Sequence, residues 1–149
     1  MADERKNTRK IGDLGESIAC KYLKNKGFSI IERNYSRKWG EIDIVARGTS
    51  QPFNNEDVSH GTSERIHFVE VKSVSYETKS MLDWAVTHET WRPEELVHSF
   101  KLNQIRKALE TWVAEHHWLG DVQVDVIAVR MVSREKYATV KYIPNVIIE

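Results

Sequence analysis

The stretch Ile66-His67-Phe68-Val69-Glu70-Val71-Lys72 decides the fold. Its Ile, Phe and Val residues give it strand chemistry, yet it carries an acid and a lysine. A strand turns alternate side chains to the same face. Glu70 and Lys72 therefore point the same way, about 7 Å apart along the chain. Upstream, Gly40-Glu41-Ile42-Asp43-Ile44-Val45 reads as a second strand with a carboxylate of its own. Two adjacent strands that each present an acid on one face can hold a divalent cation between them, with the lysine alongside. That arrangement suits phosphodiester hydrolysis.

Spacing alone says little. With 22 acids and 12 lysines in 149 residues, chance supplies about two acid-x-Lys triplets, and Glu4/Lys6 and Glu77/Lys79 are two others. Context separates them. Only Glu70 and Lys72 sit among Phe and Val at strand spacing, and charged residues rarely enter a buried strand unless paired or functional.

The length fits one domain, and such a chain buries roughly 70% of its unfolded surface. Cys20 is the only cysteine, so no disulfide forms within the chain, which fits a reducing compartment. It falls in a helical pattern and reads as a small core or boundary residue. No signal peptide is visible, and no apolar run is long enough to cross a bilayer. The expected location is the cytoplasm. Net charge is zero, but its distribution is uneven. Residues 1–40 carry 10 basic and 5 acidic side chains, residues 41–100 carry 5 and 11, and residues 101–149 carry 7 and 6. The acidic middle holds the candidate ligands, and a basic flank can face phosphates. For most of these charges a solvated mixed surface is the simpler account.

Ile11, Leu14, Ile18 and Tyr22 recur at helical spacing and predict a helix over residues 10–26, stopped by Gly27. Residues 1–9 read as a flexible tail. Strands are expected at 28–33, 41–47 and 66–72, with a turn over Ser36–Gly40 and an antiparallel meander as their arrangement. Gly48 to Arg65 is polar and long for a hairpin, and reads as a mobile loop insertion. Residues 73–93 look irregular, with Trp84 and Trp91 as anchors. Pro93-Glu94-Glu95 suits a helix start, and Leu102, Ile105, Leu109, Trp112 and Val113 stripe a second helix over 95–117. Val122, Val124 and Val126 alternate in a strand over 121–131. A last strand is expected at 137–148, with Pro144 confining part of it to an edge or bulge. The order αβββαββ predicts an α/β fold: a mixed sheet of about five strands flanked by helices, with a crossover helix returning the chain to a parallel neighbour.

Asp43 and Glu70 are the expected metal ligands, with the Val71 carbonyl as a third oxygen. Mg²⁺ takes one or two carboxylates plus waters and substrate phosphate. Lys72 could orient the attacking water, give it a proton or neutralise charge on the phosphate. Glu16 lies at the border of the helical apolar arc, where helix meets sheet, and could complete the metal shell directly or through water. Alone, it would read as an ordinary boundary glutamate. Glu41 is an alternative ligand or a solvated strand-end acid. The six histidines (60, 67, 88, 98, 116, 117) show no zinc spacing, and no Gly-rich phosphate loop appears. His116-His117 reads as a helix C-terminal cap. Lys101, Gln104 and Lys107 read as a solvated helix face before a phosphate-binding one. Asp125, among valines, either bonds a basic neighbour or supports the site from behind.

Several short segments follow one another in a familiar order: Gly15-Glu16, Tyr22-Leu23, Gly27-Phe28, Arg33-Asn34-Tyr35, Gly40-Glu41-Ile42-Asp43 and Phe68-Val69-Glu70-Val71-Lys72, then Val97-His98 to Lys101 and Gln104, and Val124-Asp125-Val126. Over roughly residues 10–130 the chain resembles the YraN family of bacterial proteins. That family is similar to the PD-(D/E)XK nuclease superfamily, close to archaeal Holliday junction resolvases. The resemblance implies a restriction-endonuclease-like fold. It also implies that Glu16, Asp43, Glu70 and Lys72 occupy metal and catalytic positions, and that the chain forms a homodimer.

The expected function is a Mg²⁺- or Mn²⁺-dependent endonuclease acting on DNA, on branched or damaged structures. The alternative is a nucleic-acid-binding or scaffold protein of the same fold with little or no hydrolysis, favoured by the neutral charge and the insertion. A purely structural Lys72 ion pair is a third reading, weakened because buried pairs are costly to keep for stability alone.

Overall fold

The computed structural model describes residues 2–49, 64–88 and 99–146. A long helix, α1 (Ala2–Asn25), leads into three strands, β1 (Ser29–Arg37), β2 (Gly40–Thr49) and β3 (Glu64–Ser75). Two helices follow, α2 (Lys79–His88) and α3 (Ser99–Glu115), then strands β4 (Asp121–Val132) and β5 (Tyr137–Ile143), separated by one 3₁₀ turn. The strands form a single sheet in the order β1-β2-β3-β4-β5. β1, β2 and β3 pair antiparallel, the expected meander. β4 lies parallel to β3, with α2 and α3 in the connection, and β5 closes the far edge antiparallel. This α/β architecture is consistent with the restriction-endonuclease-like fold expected from the sequence.

The sheet is covered on both faces because its strands are apolar on both. On one face α1 places Ala19, Cys20 and Leu23 against Ile44, Ala46, Val69, Ile127 and Val129. On the other, α3 places Ile105, Ala108 and Trp112 against Val45, Ile66, Phe68 and Val124. Each fully buried aliphatic or aromatic side chain contributes about 1.5–3 kcal/mol.

Several element boundaries differ from expectation. The expected tail is helical from Ala2, because Ala, Glu, Arg and Lys are good helix formers even without an apolar stripe. Its exposed residues extend a helix anchored further along by Gly15, Ala19 and Leu23. The segment read as irregular contains the end of β3 and all of α2. α2 buries only Leu82 and Ala85, too narrow a stripe to stand out in sequence. Trp84, expected as an anchor, is 57% exposed and stacks on His88 instead. β1 continues to Arg37, shortening the turn to Lys38-Trp39. Pro144 lies just past β5, the edge strand, as its missing N–H requires. His116 takes the expected capping role, with Nδ1 2.9 Å from the Trp112 carbonyl oxygen. Trp91, Pro93-Glu94-Glu95, His60, His98, Val97, residues 50–63 of the insertion and the last residues of the expected fifth strand lie outside the described residues.

Candidate active site

The β2–β3 ladder runs from Thr49–Glu64 to Ile44–Val69 and stops there. β2 continues to Gly40 against β1, and β3 continues to Ser75 against β4. The two strands part, and Asp43 and Glu70 are the first residues beyond the split. Into this gap the Asp43 carboxylate turns, accepting the Val71 N–H at 2.8 Å. The Glu70 carboxylate stands beside it, close enough to hydrogen bond. Both acids line a cleft of about 390 Å³, together with Thr8, Ile11, Gly12 and Glu16 of α1 and residues 71 and 73–75 of β3.

Two acids this close cannot both ionise freely. Burial pushes the Asp43 pKa up, the neighbouring Glu70 charge pushes it further, and the Val71 N–H only partly opposes them; the result is about 8. At neutral pH Asp43 therefore holds a proton that a cation would displace.

Glu16 reaches the cleft because α1 lies very close to β3. A Cβ on Gly15 would stand 1.8 Å from the Ser73 hydroxyl oxygen and 2.8 Å from its Cβ. Glycine permits this approach, and Glu16 follows on the cleft wall. Arg33 Nη2 lies 3.6 Å from Glu16 Oε2. Asn34, in the left-handed region at φ 53°, sits beside the Glu16 carboxyl and favours its charged form. A bulge between Ile30 and Glu32 shifts the register of β1 just ahead of them. Burial nevertheless raises the Glu16 pKa above the ordinary range, against the lowering pull of Asn34 and Arg33. Its Oε2 is buried with no hydrogen-bond partner.

Lys72 Nζ lies 3.3 Å from Glu70 Oε1, the same-face pairing the strand period predicts. A second ammonium, that of Lys101 on α3, lies 3.1 Å from the same oxygen. Burial disfavours the Lys101 charge, but Glu70 outweighs that and its pKa lies above the ordinary lysine value. This places Lys101 against the sheet rather than on the solvated helix face expected from the sequence. Its signal was in the spacing: Lys101, Ile105, Ala108 and Trp112 follow at intervals of four, three and four, and the last three are core. A lysine where the apolar stripe should continue is a lysine aimed at the sheet.

Thus Glu16, Asp43, Val71 and Glu70 share the cleft, with Lys72 and Lys101 on Glu70. Glu41 is exposed and lies outside the cleft. Asp125 binds a basic neighbour, His67, as one of its two expected alternatives foresaw.

The donor set fits a hard divalent cation. Two adjacent carboxylates compete for one proton, and a third on the cleft wall has a buried oxygen that accepts no hydrogen bond and lies 3.6 Å from the Arg33 guanidinium. Among the described residues no three His, Cys, Asp or Glu side chains stand together closely enough to hold a metal ion between them. A carbonyl, water or substrate oxygen would supply the rest, as is usual for Mg²⁺.

Comparison with known proteins agrees with the order of motifs. The model of the Uncharacterised protein family UPF0102 matches residues 15–129, most of the chain. The chain belongs to the UPF0102 family. A UPF0102 protein of Campylobacter lari is 35% identical over 120 residues, 79% of this chain and 81% of the relative. A UPF0102 protein of Geotalea uraniireducens is 33% identical over 129 residues, 86% and 82% of the two chains. One from Dictyoglomus turgidum is 29% identical over 140 residues, 93% and 98%. Glu16, Asp43, Glu70, Lys72 and Lys101 all fall within the span of the UPF0102 match. Among the described residues no helix is long and apolar enough to cross a membrane.

Proposed function

We propose that this chain is a Mg²⁺- or Mn²⁺-dependent endonuclease of the PD-(D/E)XK type that acts on DNA, on branched or damaged structures. One observation carries this: Asp43 and Glu70 stand together where β2 and β3 part, with a lysine two residues along the same strand. Asp43 and Glu70 would hold the ion, with Glu16 and the Val71 carbonyl completing its surroundings. When bound, a divalent cation lowers the pKa of an attacking water and stabilises charge on the phosphate. On loading, Asp43 would give up its proton, so loading would be favoured at higher pH. Lys72 and Lys101 hold Glu70 in place and offer cationic N–H donors to phosphate oxygens. Arg33 and Asn34 keep Glu16 turned to the cleft.

The test is cleavage of labelled duplex, single-stranded and branched DNAs with Mg²⁺, Mn²⁺ or chelator. Asp43→Asn and Lys72→Ala should each lower the rate at least about 100-fold, the scale of losing one preorganised charge, with the circular dichroism unchanged. Products from both variants at wild-type rate remove the site assignment. The likeness to junction resolvases adds a homodimer, which sedimentation would measure. A cytoplasmic setting belongs to the same proposal, supported by Cys20 being buried and unpaired.

One observation favours the non-hydrolytic alternative. Two ammoniums already rest on Glu70 Oε1 and supply the neutralisation a cation would bring. Tight, salt-sensitive DNA binding with no products in Mn²⁺ would establish a binder or scaffold instead.

A further inference from the structure

The first three turns of α1 carry charge that the cleft does not use. Arg5, Lys6, Arg9 and Lys10 are exposed, and none of them forms an ion pair among the described residues. They belong to the same helix as the cleft wall, where Thr8, Ile11, Gly12 and Glu16 define one stripe. At 3.6 residues per turn, Arg5 and Arg9 fall within about a quarter-turn of the middle of that stripe, and Lys6 and Lys10 fall on the opposite side. Along the axis Arg9 lies about 10 Å from Glu16, and Arg5 about 6 Å further. The row is therefore directional. It starts at the acidic cleft and leads away from it as two guanidiniums one turn apart. It also lies before residue 15, where the family match begins.

We infer that Arg5 and Arg9 form a phosphate-binding track that seats the DNA backbone beside the cleft, so that one strand leaves the acids along α1. This rests on the endonuclease function proposed above and adds the direction of the bound strand. Three features support it. The cleft is acidic and cannot itself attract a polyanion, so attraction has to come from its rim. Guanidinium forks suit phosphate oxygens better than any other side chain. And the two arginines are free of carboxylate partners among the described residues, so binding need not first break an ion pair.

The experiment compares two double variants of the full chain, Arg5→Ala/Arg9→Ala and Lys6→Ala/Lys10→Ala, which remove equal charge from opposite sides of one helix. Affinity for a fluorescent branched DNA is read by anisotropy between 50 and 200 mM salt with chelator present. The arginine pair should lose about tenfold in affinity and lower the salt slope by about 2, near 0.9 for each phosphate contact removed. The lysine pair should change neither by much. Helicity at 222 nm checks that α1 persists in both. Equal losses from the two pairs overturn the track, since undirected charge would then suffice, and so does unchanged affinity in the arginine pair. Cleavage by wild-type protein with no effect of the arginine pair removes the track and keeps the endonuclease. Arginine-dependent binding with no products in Mn²⁺ removes the endonuclease and keeps the track.

Discussion

Two aspartates of the same sheet have opposite fates. Asp125, on β4, accepts four hydrogen bonds: His67 Nδ1 at 2.7 Å, Tyr142 hydroxyl at 2.6 Å, Gln123 amide at 2.6 Å and Asn145 N–H at 2.9 Å. Burial alone would raise its pKa, but these donors outweigh burial and hold it below the ordinary value. Asp43, on β2, has the Val71 N–H and a carboxylate for a neighbour, and its pKa is pushed up to about 8. Asp125 ties β3, β4 and β5 together and is complete as it stands. Asp43 is left wanting a positive charge. Proteins keep such unsatisfied groups where a ligand completes them.

The contrast sets the sign and size of substitution effects. Asp125→Ala removes the acceptor shared by three side chains and strands His67, Tyr142 and Gln123. Urea unfolding should show a loss of about 3–5 kcal/mol, the range for breaking a buried charged network. A loss under about 1 kcal/mol would show that Asp125 is no keystone. Gly15→Ala comes next. Its methyl would collide with Ser73, and gained helix propensity of up to about 1 kcal/mol offsets only part of the strain. A net loss of about 1–2 kcal/mol is expected. The assay for site function should fall further than stability does, because the shift moves Glu16 from the cleft. Asp43→Asn reverses the sign. Without metal it removes the cost of protonating a buried acid beside Glu70 on folding and should stabilise by about 1–2 kcal/mol, a few degrees in Tm, while erasing any rise in Tm from Mn²⁺. A destabilised Asp43→Asn would mean that the Val71 bond, not the cost of protonation, dominates.

The Asp43 side of this contrast is legible in the sequence, and the Asp125 side is hidden for identifiable reasons. Alternation in Val122, Val124 and Val126, and in Phe68 with Glu70 and Lys72, exposes strands directly, since the period of two needs no tertiary information. Asp43 and Glu70 were legible because charge is rare in such strands. Helix α2 was hidden because Met81, Trp84 and Val86 are exposed large apolar residues that blur its stripe. Arg33 and Asn34 were visible only as a motif. Their grip on Glu16 depends on a bulge and a left-handed residue that no alternation rule foresees. The four partners of Asp125 span β3, β4, β5 and the segment after it, a convergence created only by strand order.

The two aspartates also make opposite pH profiles. Asp125 has a folded pKa below its unfolded one, so its contribution is present above about pH 4 and is lost as pH falls further. Asp43 has a folded pKa near 8 against 3.8 unfolded, so the metal-free fold is favoured at low pH and loses that advantage progressively as pH rises from about 4 to about 8. Between about pH 5 and 8 metal-free stability should decline by at most about 1.4 kcal/mol per pH unit and level off above, and Asp43→Asn should flatten the decline.

Lys101 gives the smallest and most specific effect. Its side chain is 39% exposed, so Lys101→Met should change stability at pH 7 by less than about 1 kcal/mol. The ammonium nonetheless stands 3.1 Å from Glu70, and its charge favours the state in which both acids are ionised. Removing it should move the Asp43 transition to higher pH. Carboxyl carbon shifts followed by NMR would locate the midpoint in wild type and variant. Lys72→Met should act in the same direction, since both ammoniums face one oxygen. An upward shift from Lys72→Met alone would make Lys101 a bystander at the helix rim. Shifts from both would show that α3, on the opposite face of the sheet from α1, helps set the charge of the cleft that α1 walls.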